Sequence, residues 1–131
     1  MATGRCQCGS IHYEVEGEPI YSAICHCSDC RRSAGAPMVG WALFAEANLT
    51  VVGEPRQYRS SEDATRHFCV NCGTGLFYRN SKIFPEMVDI QTSTLDDPSI
   101  FPPVIHVQWA EALPWMGAAH DLPHVERYPE D

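Results

Sequence analysis

A chain of 131 residues with 44% hydrophobic and 20% charged side chains has the composition of one ordinary globular domain, residues 1–131. Its formal net charge of −8 excludes nucleic acid and anionic membranes as favoured partners, because both are themselves negatively charged. The most apolar run, residues 38–45, is far shorter than the roughly 20 residues needed to cross a bilayer. Because no signal-peptide pattern opens the chain, we expect a protein of the reducing cytoplasm.

The elements predicted along the chain are mostly short strands separated by turns. Residues 4–17 alternate, with Ile11, Tyr13 and Val15 on one face and polar side chains on the other, as in a half-buried strand. One helical turn is predicted after Cys30, ending before Pro37. Further strands are predicted at residues 38–44, 49–52, 56–59, 76–78, 83–92 and 104–109, and an irregular tail beyond residue 113. The fold class is therefore mainly β.

The seven cysteines favour metal binding over disulfide bonds. An odd number leaves one thiol unpaired in a disulfide framework, whereas a group of four and a group of three use every cysteine. Near neighbours such as Cys25 and Cys27 have ordinary metal-ligand spacing and rarely reach disulfide geometry with each other. We therefore predict two zinc ions per chain.

The first predicted site, called the outer cluster below, joins a Cys-x-Cys pair to a distant Cys-x-x-Cys pair: Cys6, Cys8, Cys69 and Cys72. Four thiolates complete the tetrahedral coordination that structural zinc prefers. Gly9 and Gly73 follow the two pairs and permit the positive φ that turns backbone amides toward the sulfur atoms. Because a structural zinc typically contributes about 10–16 kcal/mol, we expect the fold to depend on this site.

The second predicted site, called the inner cluster below, consists of three cysteines within six residues: Cys25, Cys27 and Cys30. Three protein ligands and one exchangeable position are the composition of a catalytic zinc. The alternative is a closed site whose fourth ligand comes from His26, Asp29, His67 or the outer cluster. His26 is an awkward ligand, because it points away from Cys25 and Cys27 if their two sulfurs point toward the ion.

The charge of the inner cluster indicates what an exchangeable ligand would be. Three thiolates around one Zn²⁺ carry a net negative charge, which weakens the activation of water and favours a soft, small-molecule thiol. A zinc-bound thiol is held as the thiolate, the form that adds to carbonyl carbon. Arg31 and Arg32 follow Cys30 and are predicted to bind carboxylates of such a ligand or to offset the charge of the site, with solvated surface arginines as the alternative.

Three motifs together carry a family resemblance: Gly4-x-Cys6-x-Cys8-Gly9-x-Ile11, Cys25-His26-Cys27-x-x-Cys30-Arg31 and Phe68-Cys69-x-x-Cys72-Gly73-x-x-Leu76. They resemble the glutathione-dependent formaldehyde-activating enzyme family, which includes a centromere-protein branch, and residues 94–98, Pro103 and His106 are similar to its C-terminal signature. The resemblance implies a β-tent-like, zinc-stabilised fold of short antiparallel strands. It also implies a structural zinc on the outer cluster and a catalytic zinc on the inner cluster.

The activity that the resemblance implies is that of a carbon–sulfur lyase. Such an enzyme acts on the adduct of glutathione, or a similar small thiol, with formaldehyde or another small aldehyde. Two other functions remain open from the residues alone. A non-catalytic structural zinc module for protein–protein interaction would need a fourth protein ligand on the inner cluster, and a redox switch would release zinc on mild oxidation.

Overall fold

Strands dominate the chain, which confirms the mainly β class. The computed structural model describes residues 1–129 and contains ten short strands and one α-helix there. The strands are β1 (Ala2–Arg5), β2 (His12–Val15), β3 (Tyr21–Cys25), β4 (Val39–Ala45), β5 (Leu49–Val52), β6 (Arg56–Arg59), β7 (Ala64–Phe68), β8 (Gly75–Asn80), β9 (Met87–Gln91) and β10 (Ile105–Val107). Helix α1 spans Ser28–Ala34, and 3-10 turns cover Glu46–Asn48, Thr92–Thr94, Trp109–Glu111 and Met116–Asp121.

The strands form two sheets. The smaller sheet has the order β1-β2-β5, and the larger has the order β10-β3-β4-β9-β8-β7-β6. Every neighbouring pair is antiparallel except β10 and β3, where Ile105 pairs with Ala23 and Val107 with Cys25 in parallel. A parallel pair needs a long crossover connection, and β10 follows β3 by some eighty residues. The largely antiparallel arrangement thus carries one parallel edge strand.

The hydrophobic core lies between the two sheets. The predicted alternation in β2 is confirmed, because Ile11, Tyr13 and Val15 are all buried there. The ring of Tyr13 meets the ring of Phe77 edge-on, with 5.2 Å between centroids, and its hydroxyl lies 2.7 Å from the Thr94 hydroxyl. Burial raises the pKa of Tyr13 to about 12, so the neutral phenol stays within the core. The larger sheet contributes Ala42, Phe44, Leu76, Phe77, Val88 and Ile90.

The opposite face of the larger sheet carries a different set of side chains. Residues paired in register across neighbouring strands share a face, since side chains alternate along each strand. One such row crosses β7, β8, β9, β4 and β3 and consists of Arg66, Tyr78, Asp89, Leu43 and Tyr21. Cys25, Cys30, Val39 and Trp41 form a second hydrophobic cluster with Ala34 of α1. This face therefore supports the inner cluster.

Helix α1 begins earlier than predicted. The predicted turn followed Cys30, but the helix starts at Ser28 and contains Cys30 in its first turn. The sulfur of Cys27 acts as the N-cap and accepts a hydrogen bond from the Cys30 amide at 3.3 Å. Cysteine is not among the usual N-cap residues, so the sequence pattern did not mark this start. The helix ends at Gly35, whose φ of 64° is the left-handed conformation typical of a helix C-terminus.

Several other elements differ in their bounds. The strand predicted over residues 4–17 is two strands, β1 and β2, separated by the turn that carries Cys6 and Cys8. The strand predicted over 83–92 is reduced to β9, because residues before it form a turn in which the Phe84 amide bonds to the Asn80 carbonyl. Met116 is buried, and its 3-10 turn lies in the tail predicted to be irregular. Within residues 1–129, no helix is long and apolar enough to cross a membrane.

Gly4 provides a test of the packing between the sheets. A Cβ at this position would lie 2.7 Å from the Thr94 carbonyl oxygen and would also collide with the Tyr13 ring. We expect Gly4→Ala to lower the free energy of unfolding by about 1–3 kcal/mol, measured by urea denaturation. The matched control is Gly117→Ala, because an added Cβ there has nothing within 4 Å. Equal stabilities of the two variants would contradict the described packing.

Candidate metal centres and the adjoining cavity

The outer cluster brings together four sulfurs from two distant parts of the chain. The ligand atoms of all four cysteines lie within 4.8 Å of one another. The sulfur of Cys8 is 3.6 Å from that of Cys6 and 3.8 Å from that of Cys69. A tetrahedral zinc with Zn–S bonds of about 2.3 Å would place its sulfurs about 3.8 Å apart. The separations therefore fit a metal ion and are much too long for disulfide bonds.

Hydrogen bonds to the outer sulfurs favour the thiolate form that binds metal. The Ile11 amide donates to the Cys6 sulfur at 3.3 Å and favours its thiolate, although burial raises the pKa of this thiol overall. The hydroxyl of Ser10, 3.0 Å from the Cys8 sulfur, lowers the pKa of that thiol to about 7. The hydroxyl of Thr74, 3.2 Å from the Cys72 sulfur, lowers the pKa of that thiol to about 5. These donors surround the sulfurs as a second coordination shell would.

The two glycines that follow the cysteine pairs have the predicted conformation. Gly9 has a φ of 82° and Gly73 a φ of 81°, values that glycine adopts without strain. Their amides, however, bond to the carbonyl oxygens of Cys6 and Cys69 and not to sulfur. The glycines therefore close the turns that place the sulfurs.

The inner cluster is formed where β3 ends and α1 begins. Cys25 is the last residue of β3, Cys27 caps α1, and Cys30 lies in the first helical turn. The sulfurs of Cys25 and Cys27 are 3.4 Å apart, and all three ligand atoms lie within 4.8 Å of one another. The strand end and the helix start thus bring the predicted three ligands to one point, where they can hold a metal ion.

A buried arginine supports the negative charge of the inner cluster. Arg66 of β7 places its Nη2 atom 3.7 Å from the Cys30 sulfur, and its guanidinium lies over the Tyr78 ring, 4.8 Å from the centroid. Hydrogen bonds from Cys25 and Cys27, followed by Arg66, lower the pKa of the Cys30 thiol to about 5. The same hydrogen bond with Cys30, followed by burial, raises the pKa of Cys25. These contacts therefore favour the thiolate form of Cys30.

The two histidines considered as a fourth ligand lie elsewhere. His26 is fully buried, with its Nε2 atom 2.8 Å from Nδ1 of His106 and its ring edge-on to Trp109. His67 is in register with Phe77, on the core-facing side of the sheet opposite the inner cluster. Burial lowers the pKa of His67 to about 4, so its imidazole stays neutral. In the part of the chain that the structure describes, no histidine or acidic ligand atom joins the three inner sulfurs.

A cavity of about 400 Å³ adjoins the inner cluster. All three inner cysteines line it. Its apolar lining comes from Ala23, Trp41, Leu43, Tyr78, Ile83, Phe84 and Val107. Its ionisable lining residues, besides the cysteines and two tyrosines, are Arg66, Asp29, Asp89 and Glu111. A mainly apolar cavity with a few polar groups beside reactive sulfurs is the usual form of a small-molecule site.

Arg31 and Arg32 line a different depression, together with Pro37 and Trp115. The Nε atom of Arg31 donates to the carbonyl oxygen of His26 at 3.2 Å. The structure therefore does not bring the two arginines together with the lining of the cavity. Their role in binding a substrate carboxylate stays a prediction.

Sequence analysis did not identify Arg66, Tyr78 and Asp89 as residues of the site. They lie on three adjacent strands, and only the strand order of the larger sheet aligns them. One sequence feature could have identified Asp89 as a residue of the site: this acid interrupts an apolar strand between Val88 and Ile90. Burial, followed by the charge of Cys30, raises the pKa of Asp89 to about 7.

The fold and the two cysteine clusters define a mainly β protein with two candidate metal centres. The sequence profile of the glutathione-dependent formaldehyde-activating enzyme family matches residues 1–111. The chain therefore belongs to this family.

Comparisons with individual proteins are consistent with this family. The chain is 28% identical over 126 residues to a candidate glutathione-dependent formaldehyde-activating enzyme of Halomonas elongata, covering 88% of this chain and 80% of the relative. It is 33% identical over 81 residues to an uncharacterised lyase of Schizosaccharomyces pombe, covering 60% of this chain and 59% of that protein's length. A crystal structure of a Rhodobacter sphaeroides protein matches with a TM-score of 0.64 at 24% identity, covering 80% of this chain and 99% of that one, and shares the fold.

The two clusters should respond differently to the loss of a ligand. Cys69 is buried in the core between the sheets, so we expect Cys69→Ala to remove one metal ion and to lower the free energy of unfolding by several kcal/mol. Cys27→Ala should also remove one ion but leave the fold intact, because Cys27 is only half-buried, outside the core between the sheets. Metal content and thermal unfolding measure both effects. Equal destabilisation by the two variants would contradict the assignment.

Asp89 should make stability depend on pH. Its raised pKa means that the folded chain keeps a proton that the unfolded chain loses above about pH 4, so stability falls as pH rises from about 4 to 7. We expect Asp89→Asn to increase the free energy of unfolding more at about pH 8 than at about pH 5. The expected difference is about 1–2 kcal/mol after allowance for partial exposure. Urea denaturation at both pH values measures it, and a pH-independent effect would contradict the prediction.

Proposed function

We propose that this chain is a zinc-dependent enzyme resembling carbon–sulfur lyases. Its substrate would be the adduct of a small thiol, such as glutathione, with formaldehyde or another small aldehyde. The observation that carries the proposal is a three-cysteine cluster lining a cavity large enough for a small molecule. Family membership supports an enzymatic role, and the name of the Halomonas relative includes both glutathione and formaldehyde.

The residues present fit two zinc ions. The outer cluster would hold a structural ion, because its four sulfurs have tetrahedral spacing and two of them are buried in the core. The inner cluster would hold the catalytic ion through its three sulfurs. When bound there, zinc supplies a soft Lewis acid that keeps a small thiol in its thiolate form.

The reaction requires a thiolate and a proton source. In the synthetic direction, the thiol gives up its proton, its sulfur forms a bond to the aldehyde carbon, and the carbonyl oxygen takes up a proton. Arg66 would stabilise negative charge at the inner cluster, since it already lies against the Cys30 sulfur. Asp89, with a pKa of about 7, could hold and release a proton at neutral pH.

The walls of the cavity would protect the reacting groups from water. Trp41, Leu43 and Val107 present apolar surface beside the cysteines. A dry site strengthens the electrostatic attraction between Arg66 and a thiolate. These features favour an enzyme over a structural interaction module, whose inner ion would need a fourth ligand from the protein.

The proposed activity can be tested with the zinc-loaded protein, glutathione and formaldehyde. We expect the protein to accelerate formation and breakdown of the adduct, measured by exchange NMR. Cys27→Ala should lower the rate enhancement at least tenfold, because it removes one of the three inner ligands. Near-UV circular dichroism should show that this variant keeps its fold. Repeating the measurement with other small thiols extends it, and no acceleration over buffer with any of them would reject the proposal.

A further inference from the structure

We propose that His106 of β10 is a positioning residue for the inner cluster, and that it acts through its hydrogen bond to His26. The inference rests on the proposed function, because it takes the inner cluster to hold a metal ion. It goes beyond that function by giving a role to a side chain that lies outside the group of three cysteines.

The first argument is that the ring of His26, which lies between two candidate ligands, is held by one hydrogen bond. The ring is fully buried, and its Nε2 atom lies 2.8 Å from Nδ1 of His106. Within residues 1–129, its other nitrogen, Nδ1, is buried without a hydrogen-bond partner. Because unpaired buried polar atoms are costly, the loss of His106 would leave the whole ring unsatisfied. We expect the ring to move in that case, together with the peptide between Cys25 and Cys27.

The second argument is that the backbone of His26 is tied to the same strand. Its amide donates to the Val107 carbonyl at 3.1 Å, and Val107 pairs with Cys25 in parallel. Its carbonyl oxygen accepts from Nε of Arg31 at 3.2 Å. The turn between the first two cysteines is thus fixed by β10 on one side and by α1 on the other. Since β10 has three residues and pairs with β3 alone, the hydrogen bond between the histidines adds to a short backbone ladder.

The third argument is that the chain is held on both sides of this hydrogen bond. The Trp109 ring packs against both imidazoles, with its centroid 4.9 Å from that of His26 and 5.0 Å from that of His106. Gln108 has a φ of 56°, a left-handed conformation that is uncommon for a residue with a side chain and persists where neighbouring contacts impose it. Val107 and Gln108 both line the cavity. The three rings therefore connect the turn that carries the ligands to one wall of the cavity.

Cadmium NMR of the protein loaded with Cd²⁺ provides the test, because each bound ion gives its own resonance. The resonance that Cys27→Ala removes belongs to the inner cluster, and competition with a chelator measures the affinity of each site. We expect His106→Phe to shift or broaden the inner resonance and to weaken the inner site roughly 10- to 100-fold, the usual effect of losing a group that orients metal ligands. The outer resonance should not change, which would show that the variant is folded.

Two substitutions separate the hydrogen bond from the packing of the rings. His106→Phe keeps an aromatic ring against Trp109 but cannot bond to His26. His106→Asn loses the ring but places an amide atom where Nδ1 stood. That amide can accept or donate, so it suits His26 whichever ring nitrogen carries the proton. We expect His106→Asn to keep most of the inner-site affinity that His106→Phe loses, whereas a packing role alone would give the reverse order.

The outcomes distinguish this inference from the proposed function. Unchanged inner-site affinity in His106→Phe would overturn the inference and leave an enzyme with two metal sites standing. An equal loss of affinity in His106→Asn and His106→Phe would also overturn it, because restoring the hydrogen bond would then not restore the site. If the unsubstituted protein shows no resonance that Cys27→Ala removes, the inner metal site of the proposed function fails together with this inference.

Discussion

The outer cluster is the constraint on which we expect the rest of the structure to depend. It joins the turn after β1, in the smaller sheet, to the turn between β7 and β8, in the larger sheet. Cys6 and Cys69 are also part of the hydrophobic core, so a metal ion bound here would act at the same place as apolar packing. Because β7 and β8 carry Arg66 and Tyr78, the site at the inner cluster depends on strands that the outer cluster helps to fix.

One face of the larger sheet packs in the core, and the other face carries the inner cluster. On β7, Arg66 reaches the inner cluster, while the neighbouring His67 faces the core with Phe77. A slip of one residue in the pairing would exchange these two side chains, placing an arginine in the core. The buried core row of Phe77, Ile90 and Ala42 therefore fixes the register that places Arg66 on the face of the inner cluster.

The inner cluster has three electron-donating sulfurs and little positive charge around it. Three sulfurs suit a soft ion, and among residues 1–129 Arg66 is the one basic side chain that lines the adjoining cavity. Burial keeps His26 and His67 neutral by lowering their pKa values, so neither adds a charge. The expected preference for a soft ligand follows from this balance.

The sequence by itself determined what depends on local spacing: the two cysteine groups, the positive φ at Gly9 and Gly73, and the alternation of buried residues in β2. The spacing of a metal-ligand pair and the alternation of buried and exposed residues in a strand both involve neighbouring residues. Both can therefore be read from the sequence. Only the tertiary structure decided the parallel pairing of β10 with β3, the row of Arg66, Tyr78 and Asp89, and the separation of Arg31 from the cavity. These features depend on the order of strands far apart in the chain, and that order is set by packing of the whole core, not by any local pattern.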